Sequence, residues 1–232
     1  MAQTIEEALS PIFQQKITVY SSGRTDAGVH ALNQVCHFDF EKPIAKKNWD
    51  FCWALNSKLP DSIAAKQAWY APDDFHATLS ATHKTYRYWV YVNPRPNVFL
   101  RNYAGWSRKP LDIQYLDCLA KKTIGTYDCK SLQSAGTPII NTVRTIYSAQ
   151  WFQRSPHLLE FRITGNGFLK QMVRNIVGTH LFLEKHRSSF AEWERILSAK
   201  DRSAAGPVAE PQGLSLLQVY YPNELDNRCV EI

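Results

Sequence analysis

The segment 168–183 constrains the fold more than any other part of the chain. On a helical wheel Leu169, Met172, Val173, Ile176 and Val177 fall on one broad apolar arc, with Lys170 and Arg174 together at its edge. A helix this apolar has to be covered, so the chain needs a packed interior with a second layer to receive it. The arginine at its margin needs an acidic partner, because a guanidinium stripped of water without one costs on the order of several kcal/mol.

Neighbouring segments supply the second layer. Residues 84–92 read as a long strand with Tyr86, Tyr88, Val90 and Val92 on one side. Segments 142–151 and 158–164 read as an antiparallel pair, and 213–221 as a further strand. Strands are also expected at 16–20 and 34–40, flanking a loop at 23–28, and at 63–69. Thr4 with Glu7 and Ser189 with Glu192 have capping-box spacing, so a helix is expected at each. Two more are expected at 49–55 and from an Asp112 N-cap to a stop at Gly125. Strands and helices mix without strict alternation. The fold class is therefore α+β, a mixed, mainly antiparallel sheet flanked by helices.

Met1 leads into Ala2, Gln3, Thr4 and Glu6 rather than a basic then apolar run, and the longest apolar stretches are interrupted by polar residues. Neither a secretion signal nor a membrane span is read from this. The cysteines Cys36, Cys52, Cys118, Cys129 and Cys229 are odd in number and never in a CxxC pair. They read as reduced thiols of a cytoplasmic protein, with no disulfide framework or zinc site. The net charge of +6 permits an anionic partner, but its distribution says more than its size. From Phe75 to Leu111 there is no Asp or Glu, while Lys84, Arg87, Arg95, Arg101, Arg108 and Lys109 fall among Tyr86, Tyr88, Trp89, Tyr91, Phe99, Tyr103 and Trp106. Such a stretch suits nucleic acid, since cations neutralise phosphates and aromatic faces stack on unpaired bases. It equally suits a strand with ordinary core aromatics and a solvated basic face.

No phosphate-binding loop, HExxH, GxSxG or GxGxxG pattern is present, and the histidines, His30 and His37 included, lack metal-ligand spacing. What remains is Asp26, in Gly23-Arg24-Thr25-Asp26-Ala27-Gly28-Val29-His30-Ala31. An aspartate near glycine in a loop is by itself an ordinary turn residue.

That string resembles the signature of the tRNA pseudouridine synthase A family, in which its aspartate is catalytic. The likeness continues through Phe75-His76-Ala77, Lys84-Thr85-Tyr86-Arg87-Tyr88, Thr142-Val143-Arg144-Thr145-Ile146, Gly167-Phe168-Leu169, Met172-Val173-Arg174-Asn175 and Gly213-Leu214. The resemblance implies a pseudouridine synthase type of fold with a basic RNA-binding cleft, a homodimer, no cofactor or metal, and conversion of uridines 38 to 40 of the tRNA anticodon arm. It implies Asp26 as the catalytic carboxylate, Arg174 as the arginine paired with it, and Tyr86 as the tyrosine packed against the target base. Arg24 is implied as a neighbour that helps hold the flipped nucleotide. Lys84, Arg87 and Lys170 are added as substrate-binding cations. On this reading residues 1–110 form an N-terminal half with the Asp26 loop and the basic aromatic strand. Residues 111–232 form a C-terminal half with the buried helix, and the halves share one continuous sheet. Family members usually begin with a further strand and a motif resembling YDGxxYxGWQ, which is missing here. A non-catalytic tRNA-binding protein on the same fold is therefore the alternative reading.

Overall fold

The computed structural model of the chain describes residues 1–41, 50–134, 136 and 141–232. Its helices are α1 (Ala2–Phe13), α2 (Phe51–Asn56), α3 (Ile113–Thr123), α4 (Met172–Lys185), α5 (Ala191–Ala199) and α6 (Asn223–Asp226). The strands are β1 (Tyr20–Ser21), β2 (His30–Ala31), β3 (Cys36–His37), β4 (Trp69–Tyr70), β5 (His83–Val92), β6 (Gly105–Ser107), β7 (Gly125–Asp128), β8 (Val143–Ser155), β9 (Leu158–Gly165), β10 (Leu214–Tyr220) and β11 (Val230–Glu231). They fall into two compact units, each drawn from non-contiguous stretches. The first comprises Met1–Arg24, Gln34–Thr82 and Tyr220–Ile232, and the second Thr25–Asn33 and His83–Val219.

In the first unit α1 and α2 bury Leu9, Phe13, Phe51 and Leu55 with Ile17 and Val19. The strands expected at 16–20, 34–40 and 63–69 shrink here to two residues each, in the antiparallel pairs β1–β3 and β4–β11. Ile17 and Val19 are buried, with Cys36, Phe38, Phe40, Ala65 and Ala68 packed against their cluster by side-chain contact rather than by a long ladder, while Tyr20 and Trp69 stay exposed. Val19 N–H donates to Glu6 Oε1 (2.9 Å) and Ile17 N–H to Ser10 Oγ (3.2 Å), so α1 side chains satisfy the backbone where a partner strand would have done so. The helix expected at 49–55 begins after Asp50, whose side chain accepts Trp53 N–H at 2.8 Å, and Trp49 lies outside the described residues.

The second unit is a seven-stranded sheet in the order β2-β10-β5-β9-β8-β7, with β6 beside β5. The pairs β5–β9, β8–β9 and β7–β8 are antiparallel, while β2–β10 and β5–β6 are parallel. The α+β class and mainly antiparallel sheet thus match the expectation. Tyr88, Phe161, Trp151, Leu159 and Ile163 from the sheet pack with Leu116 and Leu119 of α3, Ile176 and Val177 of α4, and Trp193 of α5. Full burial of one such side chain is favourable by about 1.5–3 kcal/mol. The Asp112 cap is present, its carboxylate accepting Tyr115 N–H at 3.0 Å.

Neither capping box forms. Met1 is the N-cap of α1, which puts Thr4 inside the first turn, and Phe190 is the N-cap of α5. The helix expected from residue 168 starts at Met172, because Gln171 adopts a left-handed conformation (φ 61°) that interrupts helical geometry. From Met172 onward α4 is buried on nearly every side, as its sequence demands.

Candidate active site

Asp26 sits in the second unit on the turn between Thr25 and β2, where its carbonyl accepts Val29 N–H at 3.0 Å. Gly28 closes this turn at φ 82°, and a Cβ there would lie 3.1 Å from Pro211 Cγ, so both backbone conformation and space call for glycine. His30 continues the loop into β2 and donates from Nε2 to the Asn102 carbonyl (2.7 Å), its ring stacked on Tyr103. The role is structural and ties the Asp26 loop to the segment before β6.

Opposite the loop, Arg174 lies in the first turn of α4. Its Nη1 donates to Asp26 Oδ2 at 2.8 Å, across 148 residues of sequence. Its Nε donates to the Ala209 carbonyl at 2.8 Å. The arginine side chain is 9% exposed and the aspartate side chain 26%, so the pair is shielded yet open on the aspartate side. Among the described residues Asp26 Oδ1 accepts no hydrogen bond, which leaves one carboxylate oxygen for an incoming group.

Tyr86 completes the cluster from β5. Its ring meets Phe168 edge-on with centroids 5.2 Å apart, Ile163 is its cross-strand neighbour, and it is half-buried. Burial pushes its hydroxyl up to about 12, and the Asp26 charge adds to the rise. The phenol therefore stays neutral through any ordinary pH. Asp26, Arg174 and Tyr86 thus form one constellation: an oriented carboxylate, a buried cation holding it, and a phenol close enough to feel the Asp26 charge.

The other cations named from sequence are placed differently. Lys84 lies two residues before Tyr86 on the same face of β5, and burial lowers its pKa. Arg87 points to the opposite face, across from Arg162, with its guanidinium 5.2 Å from the Trp89 ring. On that face Glu160, 2% exposed, is held by Arg154 and Arg162 at 2.7 Å each. Lys170 is exposed in the turn before α4 rather than beside Arg174 on the helix. Arg24 is exposed and belongs to the first unit.

Sequence reasoning did not single out Ala209. It acts through its backbone carbonyl, so no side chain signals it. No group of His, Cys, Asp and Glu suited to a metal ion occurs among the described residues, and none of their helices is long and apolar enough to cross a membrane. All five cysteines are free.

Comparison with known proteins finds that a family model described as tRNA pseudouridine synthase matches residues 119–222. A Bdellovibrio bacteriovorus protein named tRNA pseudouridine synthase A is 60% identical over 233 residues, which cover 100% of this chain and 89% of that protein. Proteins of the same name from Bacillus subtilis and Geobacillus kaustophilus are 47% and 44% identical, over 94% and 90% of this chain and 88% and 80% of theirs.

Proposed function

Because the chain belongs to the tRNA pseudouridine synthase A family, we propose that Asp26 is the carboxylate through which it isomerises uridine to pseudouridine in tRNA, with Arg174 and Tyr86 as its partners. It is an isomerase, and the reaction needs no oxidant and no phosphate energy. The bond from uracil N1 to ribose C1′ breaks, the base turns, and a bond from C5 to C1′ forms while C5 loses a proton and N1 gains one. A carboxylate serves such a step as nucleophile or base, and in either role it must present a free oxygen in a fixed direction. The observation that carries the reading is the Arg174 Nη1 to Asp26 Oδ2 bond at 2.8 Å, which fixes the carboxylate and leaves Oδ1 open. A protein that only bound RNA would gain nothing from a shielded carboxylate facing a polyanion.

The target base is stacked within RNA and has to be extruded, and the Tyr86 ring offers a surface that offsets part of that cost. The proposed substrate site is a uridine of the anticodon arm. The basic surface of the RNA-binding cleft is assigned to the acid-free segment, where Arg95, Arg101, Arg108 and Lys109 are exposed. Phe99 and Tyr103 are also open to solvent, and the Arg108 guanidinium stands 4.8 Å from the Trp106 ring. Arg24 and Lys170 are proposed as further substrate contacts, and a cytoplasmic homodimer as the working form.

Incubating unmodified tRNA with Asp26→Asn and mapping pseudouridine tests the assignment. The amide keeps the shape but is neither nucleophile nor base, so product formation is expected to vanish with tRNA affinity near the parent value. An Asn variant that isomerises at the parent rate would overturn it.

A further inference from the structure

We propose that Arg202 and Tyr88 are positioning residues for the isomerisation, acting through a strap of residues 201–213 that aims the Arg174 guanidinium at Asp26. The proposal rests on the reading of Asp26 and Arg174 as the catalytic pair, and goes beyond it to what holds that pair.

Ala209 grips Arg174 twice: its N–H donates to the Arg174 carbonyl at 3.1 Å, and its carbonyl accepts Arg174 Nε at 2.8 Å. With the main chain and Nε both taken, the guanidinium plane is set and Nη1 is left facing Asp26 Oδ2. Two residues further on, Pro211 packs against Gly28 in the Asp26 loop. The strap therefore touches both members of the pair, yet apart from single 3-10 turns at Arg202–Ala204 and Pro211–Gly213 it has no regular structure of its own.

Its shape comes from two anchors that flank Ala209. On one side Arg202 donates from Nη1 to the Gly206 carbonyl (2.9 Å) and from Nη2 to Asn175 Oδ1 (3.0 Å), tying the strap to the residue next to Arg174. Gly206 N–H also reaches Thr179 Oγ1 at 3.1 Å, and a Cβ on Gly206 would lie 2.8 Å from the Thr179 Cα. On the other side Tyr88, 1% exposed, donates from its hydroxyl to the Glu210 carbonyl at 2.8 Å. That hydroxyl reaches the strap past Gly105, where a Cβ would stand 2.6 Å away. Among the described residues neither Arg202 nor Tyr88 hydrogen-bonds Asp26, and they act on it through the strap and Arg174.

The test measures single-turnover pseudouridine formation on unmodified tRNA by Tyr88→Phe, Arg202→Gln and Arg174→Lys, and by each of the first two combined with the third. Loosening the strap should lower the rate about 10-fold in Tyr88→Phe and in Arg202→Gln, since misplacement of about 1 Å costs up to about 100-fold, while tRNA affinity stays at the parent value. In the Arg174→Lys background neither change should lower the rate further, because an ammonium cannot bond Ala209 and Asp26 in the planar fork that the strap sets. Tyr88→Phe keeps its ring in the core and carries the test if Arg202→Gln fails to fold. Parent rates in the single variants, beside an inactive Asp26→Asn, would overturn the strap proposal and leave the catalytic pair standing. Reductions that multiply fully with Arg174→Lys would also overturn it, by showing a general structural role. An active Asp26→Asn would remove the underlying reading and this proposal with it.

Discussion

Replacing Arg174 with Met would put an uncharged side chain of similar reach beside Val173 and Ala209, where apolar packing already dominates. Removing one partner of a shielded ion pair leaves Asp26 without its cation and the Ala209 carbonyl without its donor, a loss that Asp26, with 26% of its side chain exposed, offsets in part by taking up water. The melting temperature is therefore expected to fall, by less than a fully buried pair would cost because water reaches Asp26. Pseudouridine formation should fall by about 10- to 100-fold, the loss of one charge-assisted hydrogen bond of about 1.5–3 kcal/mol, with tRNA affinity much less affected. Thermal melting and single-turnover rates check both halves; unaltered turnover would sink the assigned role. Arg174 was legible in sequence because a lone arginine on an apolar helix must find an acid. Lys170 was not, since its place on the helix depended on a start that the left-handed Gln171 moves to Met172.

Among the elements, β5 carries two different chemistries on its two faces, and alternation alone assigns them. Tyr86 faces the Asp26 cluster, while Arg87 joins Trp89, Glu160 and Arg162 on the other side, where its Nε is buried without a hydrogen-bond partner. Reversing the charge at Arg87 would set a second carboxylate near Glu160 and disturb the sheet itself. The exposed Arg101 in the segment before β6 is the cleaner probe of RNA contact. Arg101→Glu is expected to weaken tRNA binding and reduce the slope of log affinity against log salt by about 1 for each lost phosphate contact. Salt titrations that overlay the parent curve would place the RNA elsewhere. The long strands and α3 were legible because period-two alternation and an Asp cap are local signals. The short strands were not, because alternation reports burial, and in the first unit α1 side chains answer the backbone groups that a ladder would have used.

At the scale of the whole molecule, the second unit's core contains a fully buried histidine. His180 accepts Trp151 Nε1–H at Nδ1 (3.3 Å) and meets Thr123 Oγ1 with Nε2 (3.1 Å), packed edge-on against Phe161 and Trp193. Burial lowers its pKa to about 3, well below the value near 6.5 of an unfolded chain. The folded state thus resists a proton that the unfolded state accepts, so this contribution is fully present above about pH 6.5 and is lost progressively as pH falls toward about 3. Tryptophan-monitored melting should show stability falling across that window, and His180→Gln should flatten the fall while lowering stability at neutral pH. An unchanged pH profile in the variant would assign the acid lability to other groups. From sequence alone His180 was one of several scattered histidines, since nothing local distinguishes a core imidazole from an exposed one. The sequence by itself determined the α+β class, the buried helix, the need of Arg174 for an acid, and the likeness that singled out Asp26, because each rests on residue type and short spacing. Only the tertiary structure decided which oxygen of Asp26 is bound, which face Arg87 takes, and that Ala209 on a strap held by Arg202 and Tyr88 orients the arginine. Those outcomes depend on backbone carbonyls and on residues far apart in the chain, and neither leaves a mark in composition or periodicity.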